Sequence, residues 1–125
     1  MSTDDILLKE ESDRLIGCAI DVHNGLGYGF HEKPYENALV AEFKSRSIPY
    51  QQQARFNITY KNTVVGEFIP DLIIHDQIIV DTKTIEAIGQ IEIGQMMNYL
   101  KVTGLRIGYI INFKHPRLQW KRVAL

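Results

Sequence analysis

The chain has 125 residues, 45% of them hydrophobic and 23% charged, with a formal net charge of -1. These values describe one soluble globular domain, residues 1–125, long enough to bury a core of its own. They exclude a membrane span, since no apolar run approaches the ~20 residues one requires, and the near-neutral charge gives no overall attraction to nucleic acid.

The N-terminal stretch MSTDDILLKEESD is acidic and polar, unlike a signal peptide. Residues 4 to 24 are expected to be helical, because Ser12, Leu15, Ile16, Ala19, Ile20 and His23 recur at three- and four-residue steps. The glycines between Gly25 and Gly29 end that run. Cys18 is the lone cysteine, which rules out an intrachain disulfide and fits a reducing cytosol, so a cytoplasmic location is expected. Its apolar setting (IGCAI) points to core packing.

A second helix is expected to start near Pro34, a residue favoured in the first helical turn, with Tyr35, Ala38, Leu39 and Phe43 on its apolar face. It should fade by Ser47 to Pro49. A strand around Ala54–Tyr60, a Lys61-Asn62 turn and a long strand from Thr63 to Ile74 follow. The turn His75–Gln77 leads into a third strand, Ile78 to Lys83. Residues 86 to 103 read as a helix closed by Gly104, Leu105 to Phe113 as a buried strand, and Leu118 to Leu125 as a short last strand. The strand–helix–strand unit from Ile78 to Phe113 should lay its strands parallel, while the hairpins make the rest of the sheet antiparallel. The expected fold class is therefore α/β with a mixed α+β sheet. There is no internal repeat, low-complexity tract or linker.

The charge distribution is uneven. No acid follows Glu92, whereas Lys101, Arg106, Lys114, Arg117, Lys121 and Arg122 all do. A basic C-terminal third facing phosphates and a merely solvated set of cations both account for this. Trp120 and Tyr109 are open to a similar choice, between a dimer face and the core.

The stretch FIPDLIIHDQIIVDTK, residues 68–83, holds an aspartate in each of two apolar strands and a lysine just beyond. Charges there are costly unless compensated. If His75–Gln77 is a three-residue loop, Ile74 faces Ile78, Leu72 faces Val80 and Asp71 faces Asp81. Opposed residues of an antiparallel pair hold their Cβ atoms roughly 4.5–5.5 Å apart on one face, and Lys83 points to that face too. Lys83 alone would neutralise one carboxylate as a salt bridge. A Mg²⁺ or Mn²⁺ ion would make fuller use of both, since these ions take one or two carboxylates with water and phosphate.

Asp71, preceded by Pro70, and then Asp81-Thr82-Lys83 resemble the signature of the PD-(D/E)XK nuclease superfamily. The order of elements from the second helix, α-β-β-β-α-β, matches the restriction-endonuclease-like core, here with an extra N-terminal helix and a short C-terminal strand. Gln95 and Tyr99 resemble the QxxxY motif of RecB-like nucleases, and their spacing places them on one helix face. The stretches Gly17–His23, Gly25–Glu36, Asn98–Gly104 and Ile111–Phe113 are similar to the GxxExxxR proteins of that superfamily. Glu36 stands where that family has its terminal Arg, and Asp81 replaces the commoner glutamate.

The resemblance implies metal-dependent hydrolysis of phosphodiester bonds in nucleic acid, DNA foremost. It implies Asp71, Asp81 and the Thr82 carbonyl as ligands of Mg²⁺ or Mn²⁺, and Lys83 as the group that holds the attacking water. Glu32 matches the Glu of the family motif and Glu36 lies one turn on; helix-start acids are also favoured by the macrodipole alone. His23 has a counterpart in an upstream RecB-like histidine, and core packing is its alternative role. Gln95 and Tyr99 would reach the site or the substrate, or simply pack on their helix. A homodimer would enlarge the phosphate-contacting surface. The rival readings are a nuclease fold whose catalysis has lapsed and which binds nucleic acid or protein, and a regulatory subunit whose acids merely store a metal.

Overall fold

The computed structural model describes residues 8–125. Helix α1 (Lys9–Leu26) buries Ser12, Leu15, Cys18, Ala19, Val22 and His23 on one stripe, the helical repeat the sequence shows. Residues 4–7 of the expected helix lie outside the described residues. The helix runs past Gly25 and stops at Gly27, whose φ of 77° no longer fits a right-handed turn. The Tyr35 hydroxyl fixes this turn by donating to the Gly27 carbonyl at 2.8 Å.

Helix α2 (Glu32–Ser45) buries Tyr35, Glu36, Leu39, Val40 and Phe43. Seven strands and a third helix follow: β1 (Tyr50–Gln52), β2 (Phe56–Tyr60), β3 (Thr63–Phe68), β4 (Leu72–Ile74), β5 (Ile78–Lys83), α3 (Gln90–Thr103), β6 (Ile107–Asn112) and β7 (Gln119–Ala124). Five strands form one sheet in the order β1-β4-β5-β6-β7, and β2 and β3 pair separately. As expected, β5 and β6 run parallel, joined through α3, and the other neighbours are antiparallel.

Alternation along the strands divides the core. Leu72, Ile74, Ile78, Val80, Ile107, Tyr109 and Ile111 face α1 and α2, whereas Ile73, Ile79, Ile110 and Val123 face Met96 and Leu100 of α3. Both surfaces of the central strands are covered, so the first half of β5 (Ile78–Val80) and β6 up to Ile111 lack an alternating polar face. Gly108 lets α3 approach, because a Cβ there would overlap the Met96 side chain.

Three boundaries differ from the sequence expectation. The strand expected from Thr63 to Ile74 breaks at Ile69–Asp71, because Pro70 offers no N–H to a ladder; β3 turns away with β2, and only β4 joins the main sheet. Strand β1 has no counterpart in the sequence expectation: two of its three residues are glutamine, with no alternation of apolar residues, yet it pairs Tyr50 with Ile74. Helix α3 starts at Gln90 rather than residue 86, where Glu92 Oε1 accepts the Gly89 N–H at 2.7 Å.

Candidate active site

The site begins where β4 and β5 part. Their ladder pairs Ile74 with Ile78 and Leu72 with Val80, then stops. Strand β5 continues to Lys83, held on its far side by β6 through the pair Lys83 and Asn112. The Lys83 carbonyl accepts the Phe113 N–H at 2.9 Å, so backbone alternation turns the Thr82 N–H and C=O toward the opening.

Asp71 occupies the bend just off β4. Its Oδ2 accepts the Thr82 N–H at 2.9 Å and the Thr82 hydroxyl at 2.8 Å. A carboxylate thus takes the place of the missing strand. Asp71, Asp81 and Lys83 line one cavity of about 140 Å³, walled by Phe68, Pro70 and Tyr99. The Lys83 ammonium lies 3.4 Å from Asp81 Oδ2, with the two side chains only 25% and 20% exposed.

The electrostatics follow from this crowding. Burial pushes the Asp81 carboxyl up to about 6; Lys83 opposes the rise and Asp71 adds to it. Burial also works against the Lys83 charge, but Asp81 outweighs it, and the lysine is held above its ordinary value. The cavity therefore concentrates one tightly held ammonium and an acid poised near neutrality, a combination typical of functional sites.

Tyr99 stacks on Phe68 with ring centroids 3.8 Å apart and planes 9° from parallel, which forms one wall of the cavity. Gln95, one turn earlier on α3, is exposed. Glu36 is 2% exposed and lies behind the site. Its Oε2 accepts from Gln52 at 2.6 Å, from Gln53 at 3.1 Å and from Lys33 at 3.1 Å. The Gln53 N–H in turn donates to the Asp71 carbonyl at 3.2 Å, so Glu36 braces the bend that carries Asp71. Glu32 sits half-buried in the first turn of α2. His23 points elsewhere: its Nε2 donates to the His115 carbonyl at 2.8 Å, and its ring lies against Phe113.

The structure thus gathers Asp71, Asp81, Thr82, Lys83 and Tyr99, places Glu36 one layer behind, and sets His23 apart. Gln53 and Asn112 are supporting residues the sequence reading did not single out. The fully buried Asn112 side chain donates to Ile85 O at 2.8 Å and accepts from Ile85 N at 3.0 Å, fixing the connection from β5 to α3. A polar residue inside the run Ile110–Phe113 was its visible signal.

Among the described residues no three His, Cys, Asp or Glu side chains converge as a metal cluster. The two carboxylates and the Thr82 carbonyl still make a hard oxygen set, which fits an ion that keeps its waters and binds phosphate.

The model of the PD-(D/E)XK nuclease superfamily matches residues 9–123. The crystal structure of SSO0001 shares the fold at a TM-score of 0.60 and 16% identity, covering 94% of this chain and 59% of its own length. No curated protein matches the chain. With a five-stranded mixed sheet between helices, a restriction-endonuclease-like fold, and a family match over almost its whole length, the chain belongs to the PD-(D/E)XK nuclease superfamily.

Proposed function

We propose that the protein is a Mg²⁺- or Mn²⁺-dependent nuclease of the GxxExxxR, RecB-like branch, hydrolysing phosphodiester bonds in nucleic acid, DNA foremost. The observation that carries the reading is the convergence of Asp71, Asp81 and Lys83 on one cavity at the fork of β4 and β5. Residues 1–125 act as one cytoplasmic nuclease domain, and a homodimer would widen its phosphate-contacting surface.

Asp71, Asp81 and the Thr82 carbonyl would hold the ion, which supplies Lewis acidity and a lower pKa for bound water. Thr82 keeps Asp71 oriented through two hydrogen bonds. Lys83, held charged beside Asp81, orients the attacking water and offsets charge on the phosphate. Tyr99 and Gln95 contact the substrate strand from α3. Glu36 acts by bracing the Asp71 bend, Glu32 completes the acidic end of α2, and His23 supports the neighbouring loop.

The test uses purified protein with labelled single-stranded, duplex and branched DNA and with RNA. Cleavage should require added Mg²⁺ or Mn²⁺, and Lys83→Ala should abolish it while leaving fold and metal binding largely intact. Binding of nucleic acid without cutting under any divalent metal would replace this reading with that of a lapsed, binding-only module.

A further inference from the structure

A second concave surface lies on the opposite side of the sheet, at the same end of β5 and β6. It is a groove of about 480 Å³ between the last turns of α1 and the β6–β7 connection, lined by Ile20, His23, Asn24, Arg117, Leu118 and Trp120. That volume is within the range of small-ligand sites, roughly 300–1,000 Å³. Trp120 is the only tryptophan of the chain, and it stands 45% exposed on the edge strand β7. Asn24 and Arg117 are exposed beside it. One wall is rigid, because His23 is tied to the His115 carbonyl.

Arg117 is the charged side chain that lines the groove, and two acids of the adjoining segments are already paired. Asp21 on α1 is engaged by Arg46, and Glu86 by Lys114 at 2.6 Å. Arg117 faces no acid from its own segment, since none follows Glu92. A flat indole, a planar amide and a guanidinium in one groove offer a stacking surface, hydrogen bonds for a base edge and a phosphate contact.

We propose that this groove holds an unpaired nucleotide of the substrate strand, its base on Trp120 and its phosphate toward Arg117. The proposal rests on the nuclease reading and adds a preference for single-stranded or frayed substrate. The groove is near the proposed catalytic residues through the backbone, because Phe113, which leads into its loop, bonds the Lys83 carbonyl. A second copy fits this edge less well. Pairing β7 antiparallel with its own copy about the strand centre would set Lys121 against Arg122, a like-charge pair that discourages the contact.

The experiment is done without metal, so that no cleavage intervenes. A fluorescein-labelled dT oligonucleotide is titrated into the protein while label anisotropy and tryptophan emission are followed together. Emission should be quenched in step with binding, and a blunt duplex should quench far less. Trp120→Ala should weaken binding about tenfold or more, Trp120→Phe should restore most of it, and Arg117→Gln should flatten the salt dependence by about one charge. Oligonucleotide binding with unchanged emission and an unaltered Trp120→Ala affinity would overturn the proposal and leave the nuclease reading standing. So would a concentration-dependent emission change that sedimentation assigns to self-association. Failure to bind or cut any nucleic acid, with or without Mn²⁺, would remove both.

Discussion

Asp71 and Thr82 are joined twice: one carboxylate oxygen accepts both the backbone N–H, at 2.9 Å, and the hydroxyl, at 2.8 Å. Thr82 is 2% exposed, so its hydroxyl has no water to turn to if Asp71 moves. The bond pair replaces the strand pairing that stops at Leu72 and Val80, and it fixes where the carboxylate can present its remaining lone pairs.

Thr82→Val should therefore cost about 1 kcal/mol of stability, the usual worth of a buried hydrogen bond. Its larger effect should be on ion affinity, down by about tenfold or more, as is common when a ligand loses its outer support. Urea denaturation and Mn²⁺ calorimetry measure the two separately. Unchanged Mn²⁺ affinity would show that the backbone N–H alone positions Asp71.

Asp81 should give stability a pH dependence of definite sign. Its carboxyl is pushed from an ordinary 3.8 up to about 6, by burial first, with Lys83 opposing and Asp71 adding. The folded chain then binds that proton more tightly than the unfolded one, so Asp81 lowers stability as pH rises from about 4 to 6, and by a constant amount above that. Asp81→Asn removes the penalty: near neutrality it should be more stable than the parent by up to about 3 kcal/mol, with little difference near pH 4. Denaturation midpoints across this range decide it, and equal gains at both ends would show that Asp81 ionisation is not responsible. In the parent protein, Mn²⁺ binding should weaken below about pH 6, where the proton competes.

How much of this was legible beforehand depends on whether local or distant contacts decide an element. The pairing of Leu72 with Val80 and of Ile74 with Ile78 was readable, because the turn at His75 and Asp76 adopts left-handed φ values of 53° and 56° and fixes the register. That register placed Asp71 near Asp81 and Lys83. The departure of β3 was not read, although Pro70 was in view; the two-strand hairpin it forms with β2 depends on packing Phe56 and Phe68 against α3. Strand β1 was invisible because Gln51 and Gln52 have no strand pattern, and β4 alone makes them a strand. Glu36 was noticed for its spacing, but its role behind Asp71 needed Gln52 and Gln53 to be brought over it, and no periodicity encodes that.

The Glu36 brace leads to a graded expectation. Its buried oxygen accepts from three donors, Lys33, Gln52 and Gln53. Glu36→Ala removes a buried acceptor whose donors, the exposed Gln52, Gln53 and Lys33, can turn to water, and should destabilise the fold by about 1–2 kcal/mol. Glu36→Gln keeps the size and one acceptor and should cost about half as much. If Glu36 acts only as a brace, Glu36→Gln lowers cleavage without changing the number of Mn²⁺ ions bound. Loss of a bound ion, measured by calorimetry, would make Glu36 a ligand instead.

Asn112 tests whether the β5–α3 connection must be rigid for the site to work. Its amide bonds both polar groups of the Ile85 backbone, and a further bond reaches Gln119 Oε1 at 3.2 Å. Asn112→Ala leaves these groups without partners at a fully buried position, and about 2–3 kcal/mol of stability should be lost. The loosened segment begins immediately after Lys83, so the ammonium should lose its fixed position beside Asp81. Hydrogen exchange should rise first in residues 84–89, and the cleavage rate should fall by more than the fraction of unfolded protein explains. If exchange rises only in step with global unfolding, Asn112 contributes to stability alone and the geometry around Lys83 is secured by β6 without it.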